Sequence, residues 1–353
     1  MRSEAPPPAR VRGVRWRPWR RCGGWCGAVP PPPPAWGGGA AASRGSRVRE
    51  GPRGQSAREK RRARLCVGVG RCAGPRRGGA SLSSLPRRLG PRLARVCRLK
   101  SSVSFLTRSD RPNLAYHKLK GRNPGIIFLP GFNSNMNGQK AIALEDFCNS
   151  LGHAFIRFDY TGCGNSNGNF EECTIGKWRK DVLSILDELT DGPQILVGSS
   201  LGGWLMLHAA MARPDKVAAL VGVAVAADHL VTTFNRLPIE TQKEIEDKGE
   251  WKFPTKHSEE GYYTLTYDFI REAENHCVLN SPIPITCPVR LIHGMKDEDV
   301  PWQISLQVAN RVLSRDVDVI LRKGGRHRLS EKEDTKLLVN TVDDLIDKLS
   351  TAT

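Results

Sequence analysis

Three residue types that together make a carbonyl-attacking nucleophile are spread along the second half of this 353-residue chain: Ser200, Asp297 and His327. Ser200 stands in Gly198-Ser199-Ser200-Leu201-Gly202, a G-x-S-x-G pattern entered from Ile195-Leu196-Val197 and left through Trp204-Leu205-Met206-Leu207-His208. Strand, sharp turn and helix in that order place the serine at the apex of a nucleophile elbow. The backbone there must be strained to expose Oγ, and side chains at Gly198 and Gly202 would collide across so tight a turn. A serine hydroxyl stays a weak nucleophile until a base takes its proton, and the base needs an acid to fix its tautomer and stabilise the imidazolium. After an elbow the partners follow in the order Ser, acid, His. Asp297, in Gly294-Met295-Lys296-Asp297, is the acid by its G-x-x-D spacing, with Glu298 and Asp299 as rivals. His327, in Lys323-Gly324-Gly325-Arg326-His327-Arg328, is the base, and its glycines suit a loop reaching across the sheet top. The backbone N–H of Leu201 opens the elbow helix and pairs with that of Phe132 in Leu129-Pro130-Gly131-Phe132-Asn133-Ser134 as an oxyanion hole. Each such donor typically contributes about 3 kcal/mol to the transition state. This chemistry is acyl transfer, and it calls for no metal and no cofactor.

The other body histidines, His117, His153, His208, His229, His257, His276 and His293, read as surface or satisfied core residues. His293 is the nearest competitor, but it precedes the acid. Of ten cysteines, five lie in the body (Cys148, Cys163, Cys173, Cys277, Cys287), none at C-x-x-C or paired zinc spacing. That pattern argues against a metal site and against a disulfide framework in a domain this large, and fits a reduced compartment.

The elements that must position these groups are legible as alternating apolar runs and amphipathic stretches. Strands are expected at 113–119, 125–129, 154–159, 195–199, 217–227, 289–294 and 317–321. Helices are expected over Gln139–Leu151, with Ala143, Phe147 and Leu151 on one face, and over Ile175–Leu189, with Trp178, Val182, Ile185 and Leu189 inward and Thr174 as N-cap. Further helices follow the elbow to about Pro214, span Gln303–Leu313, and close the chain with Leu337, Val339, Val342, Leu345, Ile346 and Leu349 as a core face. Strands separated by helices imply right-handed crossovers, hence an α/β, doubly wound, mostly parallel sheet covered on both faces. From Asp228 to about Pro284 the alternation breaks down, with Trp251, Phe253, Tyr262, Tyr263, Tyr267 and Phe269 among many charges and a helical phrase at Pro238–Lys248. That stretch is the expected cap insertion of a body running from 101 to 353.

Charge divides the chain in two. Residues 1–100 carry 25 of the 54 Lys and Arg but only 3 of the 36 acids, a net of +22, which leaves the remaining 253 residues at −4. The first segment, with Pro30–Pro34, Gly37-Gly38-Gly39 and Arg-containing runs, cannot bury enough apolar surface to offset chain entropy. Its Trp16, Trp19 and Trp25 among arginines would suit a nucleic-acid arm. Arg-rich, nearly acid-free composition is instead that of a mitochondrial transit segment. Near its end Leu93, Val96 and Leu99 share a helical face, with Arg92, Arg95 and Arg98 on the other sides. No apolar stretch is long enough to span a membrane.

Asn113-Leu114-Ala115-Tyr116, Ser199 through His208, and His293-Gly294-Met295-Lys296-Asp297 resemble the α/β-hydrolase domain-containing proteins, in particular a mitochondrial branch acting as palmitoyl-protein thioesterase and acyl-glucuronide esterase. The resemblance runs from about Ser101 to the C-terminus. It implies the α/β-hydrolase fold, places nucleophile, acid and base on Ser200, Asp297 and His327, and implies an acylated protein or a small acyl compound as substrate. Residues 1 to about 95 differ from that family's short leader, and Gly324-Gly325-Arg326 departs from its histidine loop.

Three classes of function are thus in view. A serine esterase or thioesterase uses all of the constellation. A hydrolase fold kept as a binding module would show a missing triad member, and none is missing. A nucleic-acid binder would work through the leader alone, since a body of net −4 adds nothing, so no nucleic-acid partner is expected. The leader is expected to direct the chain to the mitochondrial matrix and to be removed between Arg98 and Ser101. Sequencing the N-terminus of protein isolated from cells checks this, and a cytosolic chain beginning at residue 1 would refute it.

Overall fold

In the central strands both alternating sets of side chains are apolar. Ile126 and Phe128 face one side of the sheet, Ile127 and Leu129 the other, and all four are buried. A strand of this kind needs a helical layer on each face. The computed structural model describes residues 102–351. The Arg-rich leader, its tryptophans and the turn around Leu93, Val96 and Leu99 lie outside the described residues.

The strands of the main sheet are β1 (Ser104–Leu106), β2 (Leu114–Leu119), β3 (Arg122–Leu129), β4 (His153–Phe158), β5 (Gln194–Ser199), β6 (Val217–Val223), β9 (Val289–Gly294) and β10 (Val317–Arg322). They form one eight-stranded sheet in the order β1-β2-β4-β3-β5-β6-β9-β10. The β1–β2 and β2–β4 pairs are antiparallel and every other pair is parallel. The expected doubly wound, mostly parallel α/β sheet is the one observed. Helices α1 (Gln139–Leu151) and α8 (Lys332–Thr351) cover one face. Helices α2 (Ile175–Leu189), α3 (Leu201–Ala212) and α7 (Gln303–Arg311) cover the other. Thr174 caps α2 as expected, its hydroxyl accepting from the Lys177 N–H.

Between β6 and β9 lies the inserted stretch. It holds α4 (His229–Asn235), α5 (Ile239–Lys248), the antiparallel hairpin β7 (Glu250–Pro254) with β8 (Tyr262–Thr266), and α6 (Tyr267–Glu274). The two ends of the stretch are tied together by the buried Asp228 carboxylate, which accepts from the N–H groups of Val278 and Leu279.

Several expectations shift. Helix α1 turns Ala141, Leu144 and Cys148 inward, whereas Leu151 is exposed and Ala143 and Phe147 are half-buried. Apolar residues occur all around this helix, so periodicity leaves its rotation open until the sheet chooses a face. In α8 the inward row is Leu338, Val342, Leu345 and Ile346, with Leu337, Val339 and Leu349 on its margins. Helix α7 ends at Arg311, and Leu313 lies exposed beyond it. Strand β6 ends at Val223; the apolar run continues through Val225, Ala226 and Ala227 because these residues pack around the elbow, outside the ladder. The edge strand β1 and the hairpin of the insertion carry no long apolar run and were not anticipated. Among the described residues no helix is long and apolar enough to cross a membrane, and the five body cysteines are all free thiols.

Candidate active site

Ser200 sits between β5 and α3 with φ 54° and ψ −119°, outside the regions an L-residue prefers. The elbow is gripped by main-chain bonds: Ser200 N–H donates to Val223 O, and the Ser200 carbonyl accepts from Gly203 and Ala226. Its glycines are steric necessities. A Cβ on Gly198 would lie 2.5 Å from Gly202 O, and one on Gly202 would lie 2.2 Å from Leu129 O. The second clash is with the end of β3 rather than across the turn, so Gly202 sets how closely the elbow approaches the neighbouring strand.

That approach brings the turn after β3 to the serine. A Cβ on Gly131 would sit 3.3 Å from Ser200 Cβ, and Phe132 and Leu201 both line the cavity over Ser200. The turn is fixed from behind. Tyr160 Oη donates to Pro130 O at 3.1 Å, and the Asp159 carboxylate accepts the N–H groups of Met136 and Asn165. The Phe132 ring packs edge-on against Phe170, Trp178 and Phe269.

Asp297 follows β9 and His327 follows β10, and their two loops are laced by the main chain. Met295 N–H donates to Arg322 O and Lys296 N–H to Gly325 O. A Cβ on Gly294 would lie 2.3 Å from Gly325 O, so the first residue of G-x-x-D is glycine because the histidine loop crosses it. The resulting line is continuous. Ser200 Oγ lies 3.0 Å from His327 Nε2, and His327 Nδ1 lies 2.8 Å from Asp297 Oδ2. With Nδ1–H donating to the carboxylate, Nε2 is left free to accept the serine proton.

The Asp297 carboxylate is wholly buried. Burial alone would raise its pKa, but hydrogen bonds from His293, His327 and the Val300 N–H outweigh it and hold the group well below the usual carboxylate range. Its Oδ1 accepts the N–H groups of Asp299 and Val300. His293 is the partner that sequence reasoning placed among satisfied core residues. It is fully buried, its Nε2–H donates to Asp297 Oδ2 at 3.0 Å and faces Val300 O at 3.1 Å, and its Nδ1 lies 2.7 Å from Ser305 Oγ. It is satisfied, and it also holds the acid. Its position four residues before Asp297, at the end of the same strand, was the available signal.

The rival acids are engaged elsewhere. Glu298 is exposed and pairs with Lys256, and Asp299 bonds His257 at 2.9 Å. The His257 ring stacks on that of His327 with centroids 6.0 Å apart, so the insertion touches the base. Asp297, Asp299 and His327 form the one group of three or more His, Cys, Asp or Glu among the described residues whose ligand atoms all come within 4.8 Å of each other, the spacing a metal needs. Asp297 and His327 spend theirs on each other.

The cavity over Ser200 measures about 640 Å³. Phe132, Leu230, Phe253, Tyr263 and Leu265 give it an apolar wall, largely from the insertion. Trp251 is not part of that wall. It is buried inside the insertion against Phe234 and Phe253.

A family model described as alpha/beta hydrolase fold matches residues 124–259, from β3 into the insertion. A mouse protein named palmitoyl-protein thioesterase ABHD10, mitochondrial, is 70% identical over 256 residues, 72% of this chain and 86% of its own length. The protein of that name from Bos taurus is 70% identical over 261 residues, 74% of this chain and 85% of its own. The solved structure of mouse alpha/beta hydrolase domain-containing protein 10 matches with a TM-score of 0.69 at 70% identity, covering 70% of this chain and all of that one.

Asp297→Asn is expected to preserve the fold while leaving His327 in the wrong tautomer, with a loss in turnover on the order of 10⁴. Glu298→Gln and Asp299→Asn are expected to cost little. Esterase kinetics on the three variants, with circular dichroism to verify folding, decide it; a larger loss at either neighbour would move the acid away from Asp297.

Proposed function

The chain belongs to the α/β-hydrolase family, within the group of the ABHD10 thioesterases, and we propose that it is a serine hydrolase of acyl thioesters and esters that works through Ser200, His327 and Asp297. As a member of that group it is a hydrolase of the ester and thioester class. The observation that carries the mechanism is the unbroken hydrogen-bond line from Ser200 Oγ through His327 to Asp297. Ser200 Oγ attacks the acyl carbonyl as His327 Nε2 takes its proton. The oxyanion is met by the N–H groups of Phe132 and Leu201, and His327 passes the proton to the departing thiol or alcohol. Water then enters by the same base and releases the acid from the acyl-enzyme. Asp297, held ionised, keeps the imidazole in the required tautomer and offsets its transient charge. A binding module without catalysis would have no use for an aligned base and a buried acid.

The relatives are named palmitoyl-protein thioesterases, and S-palmitoyl proteins are accordingly the proposed macromolecular substrate. Acyl glucuronides are the proposed small ones, from the resemblance of the motifs. Residues 228–284 act as the cap and supply the apolar wall for the acyl chain. Residues 1–100 act as the leader for the mitochondrion named in the relatives, with the matrix as destination.

A fluorophosphonate probe is expected to label the wild-type protein and to leave Ser200→Ala unlabelled, with turnover falling on the order of 10⁶. Full labelling of the alanine variant would remove Ser200 as nucleophile. Within the insertion, Tyr263→Ala is expected to change the preference among acyl chain lengths while sparing a small activated ester, because it trims the wall without touching the triad. Trp251→Ala is instead expected to lower thermal stability, since it empties the insertion's own core. Specificity constants on short and long acyl thioesters, with a melting curve for each variant, separate the two; equal losses on all substrates at Tyr263 would make it a support for the fold alone.

A further inference from the structure

The part of the active-site cavity wall that lies outside the insertion is cationic. Arg328 and Lys140 line it, and the one carboxylate among its lining residues, Asp299, is already bonded to His257. Lys140 stands in the first turn of α1 and donates from Nζ to the Arg328 carbonyl at 2.5 Å, which draws the histidine loop onto that helix. Among the described residues no carboxylate forms an ion pair with the exposed Arg328 guanidinium. Burial, and then the facing Arg328, bring the Lys140 ammonium down to about 8, with Asp334 acting the other way. Two cations share one wall, and the neighbouring Asp334 carboxylate is bonded to Arg322. The start of α1 adds to the positive field there, since Gly138 offers no side-chain cap and the first turn carries no acid.

Which part of a substrate meets this wall follows from the chemistry. His327 must give its proton to the leaving group, so the leaving group lies against His327 Nε2 and the residues beside it. Arg328 is the next residue in the chain, and Lys140 is bonded to it. The acyl chain has the apolar wall of Phe132, Tyr263 and Leu265 to occupy.

We propose that Arg328 and Lys140 form a carboxylate-recognising subsite for the leaving group, so that the enzyme favours acyl compounds whose departing alcohol or thiol carries an acid. A guanidinium fork binds a carboxylate through two parallel hydrogen bonds, and the ammonium adds a point charge beside it. Two sources offer that chemistry, a sugar acid and a peptide with acidic residues flanking an acylated cysteine. The proposal rests on the hydrolase reading above.

The test compares matched pairs that differ only in the acid: a long-chain acyl glucuronide against the corresponding acyl glucoside, and a palmitoylated cysteine peptide flanked by Glu against one flanked by Gln. Wild-type kcat/KM is expected to favour the charged member by about tenfold, mainly through KM. In Arg328→Gln that ratio is expected to fall close to one, and Arg328→Lys is expected to retain part of it. Raising the salt concentration is expected to lower the wild-type ratio, since the rim is solvent-facing. Preference in only one pair identifies which source the subsite serves and supports it. Equal rates within both pairs for the wild type, or an unchanged ratio in Arg328→Gln, would overturn the proposal. Fluorophosphonate labelling of the same preparations keeps the two levels apart, because a protein that labels at Ser200 yet shows no preference refutes the subsite and leaves the hydrolase intact.

Discussion

One backbone conformation sets the rest of the structure. Holding Ser200 at φ 54° costs on the order of 1–3 kcal/mol, and the chain offsets that strain with three main-chain hydrogen bonds, two drawn from the end of β6 and the loop beyond it and one from Gly203 in the first turn of α3. The apolar run from Val225 to Ala227 is spent on this task. Val225 packs against Gly203 in the first turn of α3, where a Cβ would lie 2.8 Å from its methyl. With the elbow fixed, the missing side chain of Gly202 lets the helix press on the carbonyls of Leu129 and Pro130, which brings the Phe132 turn alongside the serine.

The second half of the site is held by electrostatics. A buried carboxylate is costly unless every lone pair is occupied, and Asp297 meets that demand with two backbone N–H groups on one oxygen and two imidazoles on the other. His293 and Ser305 therefore belong to the acid as much as Asp297 does. The acid and histidine loops are bonded to each other, Met295 to Arg322 and Lys296 to Gly325, so the register of β10 on β9 and of β9 on β6 determines how the pair meets Ser200.

The insertion is coupled to both halves. Tyr263 and Phe269 pack on Phe132, the residue of the oxyanion turn, and His257 stacks on His327. Its own core, around Trp251, Phe234 and Phe253, keeps the hairpin and α4 together. The cavity takes its apolar lining largely from this insertion and its cationic lining from α1 and the histidine loop, so the two kinds of surface come from different elements.

The sequence by itself determined what depends on local backbone geometry and chain order. An elbow needs its glycines at fixed offsets, the acid and base must follow it in order, and Thr174 caps α2 from the adjacent residue; all of these are short-range demands and were legible. The strands of the parallel sheet were legible too, because burial on both faces leaves continuous apolar runs. Only the tertiary structure decided what depends on partners distant in the chain. The rotation of α1 was open because its apolar residues surround it, and the sheet selected Ala141, Leu144 and Cys148. The end of β6 was hidden because the elbow uses the same apolar residues that a strand would use. His293 could be read as a core histidine but not as the second support of Asp297, and Trp251 could not be told from Tyr263. A side chain's type limits what it can do; which group it meets is decided by the packing of segments that the sequence keeps far apart.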